Sequence, residues 1–118
     1  MIAEDDIFFG TILKVGLTEE NFDVLVVKNG EDAMKAMRAR RPDLLVLDLV
    51  LPIKDGFEVI KEVEADAKLK GTKIMIFTNL AQEEDRDRAS ELGVHDFFLK
   101  ASISIADVVK KIKEIVAR

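Results

Sequence analysis

With 118 residues, 48% of them hydrophobic, the chain has room for one domain around a single core, and its composition excludes disordered and fibrous classes. A net charge of −5 gives a phosphate backbone little to bind, so contact with nucleic acid would need another domain or a partner. The absence of cysteine excludes disulfides and thiolate metal sites; the acidic start Glu4-Asp5-Asp6 is the reverse of a signal peptide's basic leader, and no apolar run approaches the roughly 20 residues of a membrane span, so a cytoplasmic location is expected.

In chain order, Met1-Ile2-Ala3 is a short apolar run that ends in Glu4, Asp5 and Asp6. Ile7, Phe8, Ile12, Val15 and Gly16 suggest a first helix, which Asp6 is placed to cap, and residues 22–27 read as a second strand punctuated by Asn29-Gly30. Residues 31–41 open with Glu31 and Asp32 and close with Arg38, Arg40 and Arg41, charges that oppose a helix dipole, and Pro42 stops this second helix. Leu44-Leu45-Val46-Leu47 is an unbroken apolar run, the mark of a strand buried on both faces, and it ends in Asp48. Asp55-Gly56 is turn chemistry that starts a third helix with Phe57, Ile60, Val63 and Ala67 on one face, and Gly71 ends that unit. Residues 73–78 form a fourth strand. Residues 83–92 form a very polar helix closed by Gly93, with its charged run facing solvent, and residues 96–99 form a fifth strand. Ser104 with Asp107 resembles a capping box, opening a last helix with Ile105, Val108, Val109, Ile112 and Val116 inward. The solitary His95 has no evident partner and reads as a surface residue.

Five βα units in series make an α/β, doubly wound sheet, in one domain over residues 1–118. Such sheets carry their chemistry at the carboxyl edge of the strands. If the first, third, fourth and fifth strands are neighbours, Glu4, Asp5, Asp48, Thr78 and Lys100 converge on that edge. Each has a plain reading alone: a satisfied strand-end hydroxyl, a solvated lysine, a capping acid. Their joint occurrence at matching strand ends is what packing does not account for.

Glu4-Asp5, Asp48 with Leu49-Val50-Leu51-Pro52-Ile53-Lys54-Asp55-Gly56, Thr78 and Lys100 resemble the receiver domain of two-component response regulators over essentially the whole chain. The intervals agree: 43 residues from Asp5 to Asp48, then 30 from Asp48 to Thr78 and 52 from Asp48 to Lys100. The resemblance implies a flavodoxin-like (βα)5 fold with strand order 2-1-3-4-5. It implies that Asp48 is the phosphoacceptor, served by a sensor histidine kinase, a phosphotransfer protein or a small phosphodonor. Carboxylates crowded at one edge repel an anionic donor unless a cation neutralises them, and Mg²⁺ suits an all-oxygen site. By the same resemblance Asp5 and Asp48 are direct ligands, Glu4 acts through water, and Val50 lends its carbonyl. Lys100 and Thr78 each hold a phosphoryl oxygen, and positioning with electrostatics suffices for the transfer.

The implied signal runs from Thr78 to Phe97: the hydroxyl turns toward the phosphoryl group and the aromatic swings inward, which reshapes the surface of the fourth helix, fifth strand and fifth helix. A downstream protein or an output domain reads that surface, and a homodimer through it is allowed. The expected chemistry is self-phosphorylation and self-dephosphorylation, not turnover. The last helix finishing at Arg118 fits a stand-alone receiver and equally the receiver piece of a longer regulator.

The sequence departs from the family pattern in three places. The first strand is short. Ala101 follows Lys100 where proline, often with a cis bond, is usual; a cis bond before a non-proline residue costs about 2.5–4 kcal/mol, so either that strain is tolerated or the loop runs differently. Asn79 replaces a smaller residue and is expected to crowd a phosphoryl group or hydrogen-bond to it. Val50 and Leu80, apolar and unable to orient a water, imply a slowly hydrolysed acyl phosphate. Two rivals remain: an Asp-nucleophile phosphatase of the haloacid dehalogenase type, which would need an acid at Val50, and a binding module of the same fold that no longer takes phosphate.

Overall fold

The computed structural model describes residues 1–80 and 82–118. Five strands, β1 (Ile2–Ala3), β2 (Val26–Val27), β3 (Leu44–Leu47), β4 (Lys73–Thr78) and β5 (Asp96–Leu99), alternate with helices α1 (Ile7–Glu19), α2 (Gly30–Ala39), α3 (Gly56–Ala65), α4 (Glu83–Glu91) and α5 (Ile105–Val116). All strand pairs are parallel and the order is β2-β1-β3-β4-β5, as the family resemblance implies.

The core is divided by the sheet. On one face Ala33, Met34, Phe57, Val59, Ala89 and Phe97 bring α2, α3 and α4 together; on the other Leu13, Leu17, Val108 and Ile112 bring α1 and α5 together. Residues alternate between the faces along each strand: Ile74 and Ile76 with the first group, Met75 and Phe77 with the second. Every residue of β3 is buried, so the strand that ends at Asp48 is the rigid centre of the sheet.

Side chains fix the helix starts. Asp6, Asn29, Asp55 and Ser104 each accept a hydrogen bond from a backbone N–H in the first turn of α1, α2, α3 and α5. For Ser104 and Asp107 the bond is the single one from the Asp107 N–H to Ser104 Oγ, at 3.1 Å. At the far end Lys73 Nζ donates to the carbonyls of Ile115, Val116 and Arg118, which ties the negative end of α5 to the foot of β4. Gly71 and Gly93 have φ of +88° and +89°, and Gly93 has open space where a Cβ would be, so its glycine answers to backbone conformation alone.

Several elements differ from the sequence reading. Only Val26 and Val27 of the expected strand 22–27 are laddered, because β1 offers only Ile2 and Ala3 as partners. In α1 the buried stripe is Gly10, Leu13 and Leu17; Ile7, Phe8 and Val15 lie more than half exposed, since the cap at Asp6 sets the phase of the helix. α3 ends at Ala65, so Ala67 is exposed past its end and Leu69 fills the core instead. In α5 the inward stripe includes Ile115, with Val116 half-buried.

Candidate functional site

The four strands that flank the middle of the sheet deliver the predicted residues to one edge. Glu4 follows β1, Asp48 follows β3, Thr78 ends β4 and Lys100 follows β5; all four are buried, while Asp5 is exposed. Asp48 is the hub. Its Oδ1 accepts from Thr78 Oγ1 at 2.8 Å and from the Val50 N–H at 3.0 Å, and its Oδ2 accepts from Lys100 Nζ at 2.8 Å. Lys100 Nζ also lies 2.5 Å from Glu4 Oε1, and Glu4 Oε2 accepts the Asp6 N–H at 3.1 Å.

Burial sets the electrostatics. It raises the Glu4 carboxyl above its ordinary value, against the lowering effect of the Lys100 hydrogen bond. The Lys100 ammonium is opposed by burial too, but its hydrogen bonds and charge pairing with Asp48 and Glu4 outweigh that and raise its pKa above the ordinary value. A lysine wedged between two buried carboxylates stays charged across the neutral range.

Two aromatic rings complete the surroundings of Lys100. The ammonium stands 4.8 Å from the ring centroid of Phe9 and 5.9 Å from that of Phe77, and the two rings meet edge to face at 5.7 Å. Phe9 is absent from the sequence-derived candidates. The signal that identifies it is its place three residues past the cap Asp6, in the first helical turn, which overhangs the strand edge. The question raised by Ala101 is also answered: among the described residues no peptide bond is cis, and the chain leaves Lys100 through a 3-10 turn over Lys100–Ser102 with the lysine still on Asp48.

Carboxylate oxygens of Glu4, Asp5 and Asp48 lie within 4.8 Å of one another. That donor set, oxygen only and hard, fits Mg²⁺ or a similar divalent ion. At Val50 the structure shows the N–H on Asp48 and a side chain 55% exposed. Leu80 is half-buried and its N–H donates to Thr78 Oγ1 at 3.3 Å, Asn79 is exposed, and the exposed His95 pairs with Ser90 at 3.3 Å.

Phe97 is buried at 6% exposure, with the Arg86 guanidinium 4.7 Å above its ring. Thr78 Oγ1 rests on Asp48 while Phe97 lies inward.

A family model described as response regulator receiver domain matches residues 1–113. The alkaline phosphatase synthesis transcriptional regulatory protein PhoP of Bacillus subtilis is 31% identical over all 118 residues, which cover 48% of its length; the chain thus spans about half of this curated relative. Among solved structures, the BeF3-activated N-terminal receiver domain of Klebsiella pneumoniae RstA superposes with a TM-score of 0.88 at 26% identity, covering 99% of this chain and 97% of that one. The Mn(2+)-bound form of response regulator Rcp1 superposes with a TM-score of 0.80 at 28% identity, covering 97% and 88%.

Proposed function

We propose, on the premise that this chain belongs to the response regulator receiver domain family, that it is a phosphorylation switch whose phosphoacceptor is Asp48. The observation that carries the reading is the Asp48 carboxylate, buried at the carboxyl edge and held by an ammonium, a hydroxyl and a backbone N–H at 2.8–3.0 Å.

One Asp48 oxygen attacks the phosphorus of a phosphohistidine or a small acyl phosphate. The P–N or P–O bond of the donor breaks, and the leaving group takes its electron pair. Lys100 Nζ and Thr78 Oγ1 already touch the two Asp48 oxygens, and each turns its hydrogen onto an oxygen of the transferred group. The Val50 N–H holds the carboxylate in place while this happens. A divalent ion such as Mg²⁺, held by Asp5, Asp48, the Val50 carbonyl and, through water, Glu4, would supply the positive charge that lets an anionic donor approach. The Mn²⁺ of the Rcp1 structure supports that assignment. Thr78 passes the event to Phe97 and so to the surface of α4, β5 and α5.

The donor in this reading is a sensor histidine kinase or phosphotransfer protein, and the reader is a downstream protein or an output domain. The transcriptional role of PhoP, about twice the length of this chain, favours an output in transcription. The chemistry is self-directed, and the place of action is the cytoplasm. Among the described residues no helix is long and apolar enough to cross a membrane. A phosphatase of the dehalogenase type is disfavoured by valine at position 50.

The test is mass spectrometry after incubation with Mg²⁺ and acetyl phosphate, beside an Asp48→Ala control and a chelated sample. One phosphoryl group that requires both Asp48 and the metal is the expected result. No adduct on a folded sample would replace the switch with a phosphorylation-independent binding module.

A further inference from the structure

We propose that Phe9 is a positioning residue that aims the Lys100 ammonium at the phosphoacceptor, an inference that rests on the reading of Asp48 given above. A lysine side chain has four rotatable carbons and no intrinsic direction, so its aim comes from what it touches. The backbone after Lys100 supplies little: Ala101 is exposed and sits in a single 3-10 turn. Among the described residues the partners of the ammonium are two carboxylates and two rings.

The rings form a corner. Phe77 is fully buried in β4, and Phe9 meets it edge to face at an interplanar angle of 83°. The ammonium lies against the Phe9 face at 4.8 Å, where the negative face of the ring attracts the charge and withholds water from it. With that side closed, its N–H donors are left toward Asp48 and Glu4. Phe9 is in turn fixed by Asp6, whose Oδ1 accepts the Phe9 N–H at 3.2 Å. The helix cap, the ring and the lysine are therefore one chain of contacts from α1 to the reacting edge.

The experiment measures the rate of Asp48 phosphorylation by acetyl phosphate with saturating Mg²⁺ in the wild type, Phe9→Leu, Phe9→Tyr, Lys100→Met and the Phe9→Leu, Lys100→Met double variant. Phe9→Leu keeps apolar bulk and is expected to slow the reaction about three- to tenfold, the range of a cation–π contact; Phe9→Tyr restores the rate. In the Lys100→Met background Phe9→Leu has no further effect. An equal slowing in both backgrounds, or none in either, overturns the proposal. A second readout is independent of activity: the Lys100 ε-methylene protons, shifted upfield by the ring current in the wild type, move downfield in Phe9→Leu. Unmoved resonances overturn the contact. A wild type that takes no phosphate overturns the reading of the site instead, and the ring-current comparison then decides the role of Phe9 alone.

Discussion

The guanidinium of Arg86 in α4 stands 4.7 Å above the ring of Phe97 in β5. The ring belongs to the same buried cluster as Ala89 and Val94, so the inward position of Phe97 is held by the guanidinium as well as by the core. Arg86→Ala should loosen the ring, with a loss of about 0.5–1 kcal/mol in urea denaturation. Fluorine NMR on fluorophenylalanine-labelled protein should show Phe97 sampling a second, more exposed position. A single unchanged resonance would show that Arg86 does not hold it.

Gly56 sits against the site from below. A Cβ there would lie 2.6 Å from the Asp48 carbonyl oxygen and 2.7 Å from the Leu49 Cα, both backbone atoms with little freedom to yield. Gly56→Ala should therefore cost about 1–3 kcal/mol and also slow phosphorylation by displacing Asp48. Thermal unfolding beside the acetyl phosphate rate separates the two effects.

Ile53, in the loop after Asp48, adopts φ of +69° and leaves 74% of its surface exposed. A β-branched residue in the left-handed region is strained by about 1–2 kcal/mol, and here little packing offsets it. Ile53→Gly should raise stability by up to about 1 kcal/mol, a few degrees in Tm for a domain of this size. Calorimetry showing no rise would mean that the exposed side chain has stabilising contacts after all.

Lys100 and Glu4 make opposite contributions to pH dependence. Lys100 is raised above its ordinary 10.5, so the stability it confers is complete below that value and is lost as pH climbs through the folded value. In chelator, Lys100→Met should be less stable than the wild type by about 3 kcal/mol at pH 7, with the gap closing at strongly alkaline pH. Glu4 is raised above 4.5 by burial, so its charged form weakens the fold progressively as pH rises from there through the folded value. Urea midpoints for Glu4→Gln relative to wild type should accordingly improve as pH rises from 4.5.

Val50 is more than half exposed beside Asp48, and Leu80 is attached to Thr78 through its N–H. Neither side chain can orient an attacking water, so the acyl phosphate should decay slowly. Val50→Asn or Leu80→Glu should shorten its lifetime severalfold, as followed by mass spectrometry after removal of the donor. Rapid decay in the wild type, unaltered by either change, would place water activation elsewhere.

The fold was legible wherever composition matched burial. β4 and β5 emerge with the bounds the apolar runs predict, because their ends are marked by Gly71, Gly93 and charged residues, although β4 is interior and β5 is an edge strand. β2 was misjudged because laddering is decided by the partner strand, which lies 24 residues away in register. The helix α1 was legible, but not its buried face, since Phe8 and Val15 are as apolar as Leu13 and only helix phase distinguishes them. At the site, Glu4, Asp5, Asp48, Thr78 and Lys100 each end or follow a strand and so could be read in sequence. Phe9 has only its place three residues past the cap Asp6 to mark it, and an aromatic in a first helical turn looks like core until the lysine is seen beneath it.

Alternation along the strands gives the sheet a further consequence. Thr78 and Phe97 project to the side of α4, whereas Phe77, Phe98 and the aromatic corner around Lys100 belong to the side of α1 and α5. Asp48, at the rim of the partition, is grasped from both compartments at once. The ammonium reaches it from one compartment and the hydroxyl from the other, and that one carboxylate joins them.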